Sequence, residues 1–188
     1  MTFNGVATMT VRTIIGPDNP VLRKKARPVG DPNTPEIQKL IDDLIETMRA
    51  APGVGLAAPQ VAMGQRLAVI EYAEPLPEDA PPEAEPPQPK LYVIVNPEIV
   101  TRSEVLVDGT EGCLSLPGYA GNVLRHQAVT VKALNRRGKL IKIKTHGWLA
   151  RIFQHEIDHL DGALFIDKAS KVWKVQEDSE EDQALMKE

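Results

Sequence analysis

The length, composition and charge of the chain exclude several classes of protein. Its 188 residues, 42% of them hydrophobic, suffice for one globular domain with a sizeable core. The net charge of −4 argues against a general nucleic-acid binder, and the single cysteine, Cys113, excludes an internal disulfide. No apolar run reaches the roughly 18 residues of a membrane-spanning helix. Residues 1–10 lack signal-peptide features, so we expect a short extension there.

The first predicted element is a helix that begins at Pro35. Thr34 precedes it as an N-cap, Pro35 takes the first helical position, and Pro52-Gly53 ends it. Its apolar residues recur at helical spacing and form one stripe, which consists of Ile37, Leu40, Ile41, Leu44, Ile45 and Met48. We expect this stripe to pack on a β-sheet.

The middle of the chain predicts strands separated by loops. The segments with strand-like composition are QRLAVIEY (65–72), LYVIVNPEIV (91–100), SEVLVDG (103–109) and a hairpin over residues 128–146. The uncharged segment GVGLAAPQ (53–60) predicts an irregular loop. Residues 75–89 are dense in Pro, Glu and Asp, which indicates an exposed, extended loop.

The second predicted helix spans residues 147–161 and ends at Gly162, which suits the position after a helix C-terminus. Beyond it, residues 171–188 are acidic and predict a tail that is either a frayed helix or disordered. Hairpin-linked strands combined with two helices indicate a single α+β domain over residues 1–170, with antiparallel sheets.

The second helix carries the pattern His155-Glu156-x-x-His159. Residues i and i+4 lie one above the other on a helix, so both imidazoles can bind one metal ion. Glu156 is rotated from His155 by about 100°, which suits it to take a proton from water on that ion. The pattern predicts a metal-dependent hydrolase. The plainer alternative is a helix whose histidines are only hydrogen-bonded.

The residues alone leave the third metal ligand open. A third histidine six positions after the second is absent, because that position is Phe165. A distant carboxylate is one candidate, and Cys113 is another, since metal binding deprotonates a thiol. A lone cysteine in a Leu-rich segment is otherwise a small buried hydrophobe. The flanking EGCLSLPG (111–118) resembles a strand end that turns sharply, leaving backbone N–H groups free to face a substrate.

Three segments together resemble the peptide deformylase family. They are GVGLAAPQ (53–60), EGCLS (111–115) and QHEIDHL (154–160), and the likeness extends from about Val11 to Lys168. The resemblance implies an α+β fold in which antiparallel β-sheets pack around a central metal-binding α-helix, with an additional N-terminal helix. It also implies that the protein removes the formyl group from the N-terminal N-formylmethionine of nascent polypeptides and releases formate.

The resemblance further implies roles for single residues. The metal ligands of the family correspond to Cys113, His155 and His159. Its catalytic groups correspond to Glu156 as acid/base and to Gln60 and the backbone N–H of Leu114 as oxyanion donors. The residues expected at the substrate are Val54, Gly55, Gly112, Tyr119 and Arg125, the last two because no basic residue follows EGCLS before Arg125.

The cofactor and partners are expected by the same resemblance. One sulfur and two imidazole nitrogens suit Zn²⁺, Ni²⁺, Co²⁺ or Fe²⁺, and the family implies Fe²⁺. The expected substrate is an N-formylmethionyl peptide, and the ribosome is a further candidate partner. We expect no direct nucleic-acid or membrane binding, a monomer, and a bacterial cytoplasmic location.

Two other functions remain open on sequence. One is a metallopeptidase of the H-E-x-x-H type that cleaves internal bonds, and the other is a non-catalytic module stabilised by a metal. Cys113 within EGCLS weighs against the first, and the presence of both Gln60 and Glu156 beside a full ligand set weighs against the second.

Overall fold

A computed structural model describes residues 10–77, 80–81 and 83–175. The expected N-terminal extension, apart from Thr10, lies outside the described residues, and so do residues 176–188 of the expected acidic tail. Within the part of the chain that the structure describes, no helix is long and apolar enough to cross a membrane.

The described chain contains two α-helices and ten β-strands. In chain order these are α1 (Pro35–Ala50), β1 (Gly55–Ala57), β2 (Leu67–Tyr72), β3 (Lys90–Arg102), β4 (Leu106–Val107), β5 (Thr110–Gly112), β6 (Tyr119–Asn122), β7 (Arg125–His126), β8 (Ala128–Leu134), β9 (Leu140–His146), α2 (Gly147–Asp161) and β10 (Lys171–Lys174). Short 3₁₀ turns lie at Pro20–Arg23, Ala58–Val61 and Phe165–Asp167.

The strands form three sheets. Their orders are β1-β2-β3-β8-β9, β10-β6-β5 and β4-β7. All pairings between these strands are antiparallel, which confirms the predicted α+β class. The predicted hairpin over residues 128–146 is confirmed as β8 and β9, and its register pairs Leu134 with Leu140 next to the turn.

The five-stranded sheet has a helix on each face. In β2, Leu67 and Val69 pack with α1, whereas Ala68 and Ile70 pack with α2. Successive side chains of a strand point to opposite faces, so this alternation places the two helices on opposite sides of the sheet. Both faces of β2 are therefore covered, which explains why its sequence begins with a continuous apolar run.

Helix α1 follows the sequence prediction closely. The Thr34 hydroxyl accepts a hydrogen bond from the Ile37 N–H at 3.4 Å, and Pro35 is the first helical residue. The predicted stripe packs on the sheet, and every member except the half-buried Ile37 is buried: Leu40, Ile41, Leu44, Ile45 and Met48.

Helix α2 is central because it also contacts the smaller sheets. The Gln154 side-chain amide exchanges two hydrogen bonds with the backbone of His126 in β7, at 3.1 and 2.9 Å. The His155 ring stacks on Phe165. The helix ends at Gly162, whose φ of 81° is left-handed and whose N–H bonds back to the carbonyls of Asp158 and His159, as the sequence predicted.

Two segments differ from the sequence interpretation. Part of the expected loop at 53–60 is strand β1, in which Gly55 pairs with Ile70 and Ala57 with Ala68. Part of the expected tail is strand β10, because residues 171–174 pair with β6. Both short strands depend on pairing with another segment of the chain, which local composition does not reveal. The described residues of 75–89 form neither helix nor strand and are mostly exposed.

Candidate active site

Three side chains from two elements converge at one point. His155 and His159 lie on successive turns of α2, and Cys113 directly follows β5. The two Nε2 atoms are 3.2 Å apart, and the Cys113 Sγ lies 3.3 Å from Nε2 of His159. The three donor atoms all lie within 4.8 Å of one another. The structure thus brings together the three residues that the sequence singled out.

This donor set fits a divalent metal ion. Tetrahedral coordination with metal–nitrogen bonds of about 2.0–2.1 Å and metal–sulfur bonds of about 2.3 Å places donor atoms about 3.3–3.6 Å apart. The observed nitrogen–nitrogen and sulfur–nitrogen distances of 3.2 and 3.3 Å are close to these values. A thiolate with two imidazoles is also a soft ligand set of the kind that binds transition metals.

Glu111 fixes the orientation of the His155 ring through Nδ1, the ring nitrogen that faces away from the other two donor atoms. Its Oε2 lies 2.9 Å from Nδ1 of His155, so a proton on Nδ1 leaves the Nε2 lone pair free for an ion. Burial acts to raise the pKa of Glu111, but hydrogen bonds from Arg125 and His155 outweigh it and hold this pKa well below its ordinary value. The group therefore stays a carboxylate. The sequence interpretation assigned no role to Glu111, although it directly precedes Gly112 and Cys113.

Arg125 belongs to this charge network and not to the substrate cavity, which corrects the sequence expectation. Its side chain is only 4% exposed and is absent from the cavity wall. It donates to both oxygens of Glu111 at 2.8 Å and also bonds Asp158. Burial acts to lower the pKa of Arg125, but the two carboxylates outweigh it and raise this pKa above its ordinary value. Its guanidinium donors are engaged with Glu111 and Asp158.

Glu156 lies beside the ligands in a water-poor position. It is buried, and its Oε2 has no hydrogen-bond partner among the described residues. Burial raises the pKa of Glu156 to about 7. A carboxyl group with that pKa can both accept and release a proton near neutral pH. Gly55 packs directly on this carboxylate, and a Cβ added there would collide with its Oε1.

Gln60 presents its amide nitrogen toward the ligands. The Ala57 N–H donates to Oε1 of Gln60 at 2.8 Å, which fixes the amide plane. The Nε2 atom then lies 3.7 Å from Cys113 Sγ and 3.4 Å from Ser115 Oγ. A buried, oriented N–H donor next to the ligand set can stabilise negative charge on a reacting oxygen.

A cavity of about 300 Å³ opens in front of these groups. Most residues that the sequence proposed for catalysis and binding line it, namely Val54, Gly55, Gln60, Gly112, Cys113, Leu114, Tyr119, His155 and Glu156. The resemblance implied that parts of helix 147–161 line the pocket, but it named none of the further lining residues Trp148, Arg151, Ile152 and Val175 individually. Three of them precede His155 by seven, four and three positions, so helical spacing could have identified them.

Comparisons with known proteins agree with this geometry. A sequence profile described as polypeptide deformylase matches residues 11–175. The peptide deformylase of Symbiobacterium thermophilum is 50% identical over 175 residues, which cover 93% of this chain and 74% of that protein. The peptide deformylase of Thermus thermophilus is 49% identical over 161 residues, which cover 81% of this chain and 79% of that protein.

Solved structures show the same fold. The class I type b peptide deformylase of Acinetobacter baumannii, bound to Met-Ala-Ser, superposes with a TM-score of 0.76 at 36% identity, covering 86% of this chain and 99% of that one. The peptide deformylase of Ehrlichia chaffeensis gives 0.76 at 40% identity, covering 86% and 89%. Since a single profile spans nearly all of the described chain and the relatives match it over most of their length, this chain belongs to the polypeptide deformylase family.

Proposed function

We propose that Cys113, His155 and His159 hold one divalent metal ion, and that the site removes the formyl group from N-terminal N-formylmethionine. The observation that carries this proposal is the convergence of the three donor atoms within 4.8 Å of one another. A buried carboxyl group and an oriented amide lie beside them in the wall of the same cavity. The products are formate and a peptide with a free amino terminus.

The metal ion, when bound, polarises the formyl group and acidifies a water molecule. Fe²⁺ is our proposed native ion, on the family resemblance alone, and Zn²⁺, Ni²⁺ and Co²⁺ also fit the donor types. Glu111 supports the site by keeping the Nδ1 proton on His155, as the 2.9 Å contact indicates.

Glu156 and Gln60 carry out the proton transfer and charge stabilisation. Glu156 accepts a proton from a water molecule while the oxygen of that water bonds to the formyl carbon. Glu156 then passes the proton to the amide nitrogen as the C–N bond breaks. Its pKa of about 7 suits both steps. The Gln60 amide and the Leu114 N–H donate to the oxyanion, and one such donor contributes about 3 kcal/mol in other acyl-transfer enzymes.

The substrate's methionine side chain fits the apolar part of the cavity. Leu114, Ile152 and Trp148 line it, and Val54 adds a further apolar surface. Gly55 and Gly112 let a peptide backbone approach closely because they carry no side chain. The Acinetobacter structure holds Met-Ala-Ser, a peptide that begins with methionine, which supports this arrangement.

Three further assignments complete the proposal. The enzyme acts as a monomer, because one chain supplies all three ligands and both catalytic side chains. It meets nascent chains at the ribosome, since its substrate is the start of a new polypeptide. The bacterial cytoplasm is its proposed location.

The deciding experiment measures formate release from formyl-Met-Ala-Ser by protein purified without oxygen, with metal analysis of the same sample. We expect formate release with about one ion bound per chain. Met-Ala-Ser without the formyl group is the control substrate and should stay intact. Cleavage of that peptide, together with full activity of Cys113→Ala, would instead identify an internal peptidase. A bound ion without turnover of either peptide would identify a non-catalytic module.

A further inference from the structure

Arg151 contacts both the Glu111 carboxylate, which orients His155, and the backbone near Cys113. It lies on α2 four residues before His155, and its side chain is only 6% exposed. Its Nη1 donates to Oε1 of Glu111 at 2.8 Å, on the opposite side of the carboxylate from the His155 contact. The same guanidinium therefore shares Glu111 with a metal ligand one helical turn away.

The remaining donors of Arg151 reach the backbone that leads to Cys113. Nη1 donates to the carbonyl of Val123 at 2.7 Å and lies 3.3 Å from that of Gly109, and Nη2 donates to Val107 at 2.8 Å. These carbonyls belong to β4, to the link into β5, and to the segment after β6. One helical side chain thus fixes the position of the segment that carries the sulfur ligand.

Gly109 shows how closely the backbone rests on this side chain. A Cβ added at Gly109 would lie 2.7 Å from Nη2 and 2.8 Å from Cζ of Arg151. Contacts this short do not occur for real side chains, so a side chain at position 109 would force the guanidinium or the backbone to shift. The Trp148 ring covers the guanidinium 5.5 Å from the ring centre.

We propose that Arg151 is a positioning residue that sets the distance between the Cys113 sulfur and the two imidazoles. It does so by holding Glu111 and the preceding backbone at a fixed distance from α2. The inference rests on the metal site proposed above and adds a residue outside its ligands and catalytic groups. Lysine cannot replace it fully, because a single ammonium group cannot reach acceptors spread around a planar fork.

Arg125 acts differently on the same carboxylate. Its fork contacts both oxygens of Glu111, and its other partner is Asp158 on α2. It therefore orients the carboxylate, and within the described part of the chain its side chain donates no hydrogen bond to the backbone near Cys113. Of the two arginines, Arg151 is the one whose loss should displace the sulfur relative to the imidazoles.

The test compares Arg151→Met and Arg151→Lys with a matched control, Arg66→Met. Arg66 also bonds backbone carbonyls and a carboxylate, those of Pro97, Leu160 and Asp161, but at the C-terminal end of α2 and away from Glu111. The readouts are zinc affinity by chelator competition, the thiolate absorption of the Co²⁺-loaded protein, and the unfolding midpoint. None of them requires deformylase activity, so failure of this inference is separable from failure of the proposed function.

We expect Arg151→Met to weaken zinc binding about 10–100-fold and to change the cobalt spectrum, as loss of groups that orient ligands does elsewhere. Arg151→Lys should recover part of the affinity. Arg66→Met should lower the unfolding midpoint yet keep the parent affinity and spectrum. Parent affinity in a folded Arg151→Met, or equal loss in Arg66→Met, overturns the inference.

A second variant covers the case in which Arg151→Met does not fold. Gly109→Ala keeps the arginine but places a methyl group where the guanidinium lies. We expect it to displace the guanidinium and to weaken zinc binding in the same direction. A folded Gly109→Ala with the parent affinity and cobalt spectrum also contradicts the role assigned to Arg151.

Discussion

The two helices cover opposite faces of one sheet but bury different chemistry. The α1 side meets β2 and β3 through an apolar layer that includes Leu40, Leu44 and Met48, and the polar residues that α1 buries are Asp43 and Thr47. The α2 side has apolar packing as well, but its helix and the neighbouring short strands also bury several polar and charged groups. These are Glu111, Arg125, Arg151, Gln154, Glu156 and His159.

This difference separates stabilisation from chemistry. Apolar burial stabilises by about 25 cal/mol per Å² and needs no partner of defined geometry. Buried charges lose their hydration, and only well-placed partners compensate for that loss. A buried ion-pair network is therefore weak evidence for stability. The α1 layer therefore secures the fold, whereas the α2 layer holds the proposed metal ligands and the proposed proton carrier in fixed places.

The largest expected effect lies on the α2 side and should leave stability untouched. Glu156→Gln keeps the shape but cannot carry a proton, so we expect kcat to fall by about 10²–10⁴-fold. The metal content and unfolding midpoint should match the parent, because the replaced carboxyl oxygen has no described hydrogen-bond partner. Formate-release kinetics and metal analysis check this. Loss of the ion along with the rate would show that Glu156 acts as a ligand.

A core substitution on the α1 side should lower stability and leave the candidate active site intact. Leu44 is fully buried against the sheet, and Leu44→Ala is expected to lower the free energy of unfolding by about 2–5 kcal/mol. Denaturant unfolding measures that loss. At temperatures where the variant is folded, kcat should equal that of the parent. A large fall in kcat with full folding would break the separation drawn between the two layers.

A smaller effect, on metal affinity, is expected at Glu111, which contacts His155. Glu111→Gln keeps one acceptor oxygen but turns an N–H donor toward His155 or Arg125. We expect zinc affinity to fall about 10–100-fold. Chelator competition measures it, and Glu71→Gln, which loses an exposed pair with Arg49, is the control. Equal affinities in both variants would remove Glu111 from the support of the site.

The smallest expected effect is a pH dependence of the unfolding free energy caused by Asp43, the one carboxylate that α1 buries in the described chain. Burial acts to raise the pKa of Asp43, but donors from Lys39, Thr10 and Arg12 outweigh it and lower this pKa. A lowered folded-state pKa adds stability that is present above the unfolded pKa of about 3.9 and is lost as pH falls through the folded value.

The matching experiment compares the protein with Asp43→Asn in urea unfolding between about pH 6 and pH 3. The parent should be the more stable at the upper end, and the difference should shrink as the pH falls. A difference that stays constant with pH would assign the stability of this contact to packing and not to charge.

Sequence alone predicted the parts of the molecule whose signals are local. The stripe of α1, the hairpin of β8 and β9, and the end of α2 at Gly162 each follow from spacing within a few residues. The ligand pair on α2 also follows from i and i+4 geometry, and the motif resemblance supplied Cys113. The structure then placed that sulfur beside His159.

The remaining features depend on contacts between distant residues. Arg125 was expected at the substrate because it is the first basic residue after EGCLS. Its burial depends on Glu111 and on Asp158, which is 33 positions away, and no local pattern encodes that pairing. Glu111 and Arg151 are 40 positions apart, so their contact was equally hidden. Strand β10 exists only through its pairing with β6.

The close packing of Gly55 on Glu156 affects how variants of the loop will be interpreted. Any side chain introduced at position 55 would press on Glu156, the proposed proton carrier, so a fall in rate in such a variant would look the same as lost contact with the peptide. Combining Gly55→Ala with Glu156→Asp, whose shorter arm vacates part of that space, should separate steric pressure from lost contact with the peptide. A substitution at this glycine therefore tests the proposed acid/base group as much as the peptide-binding cavity.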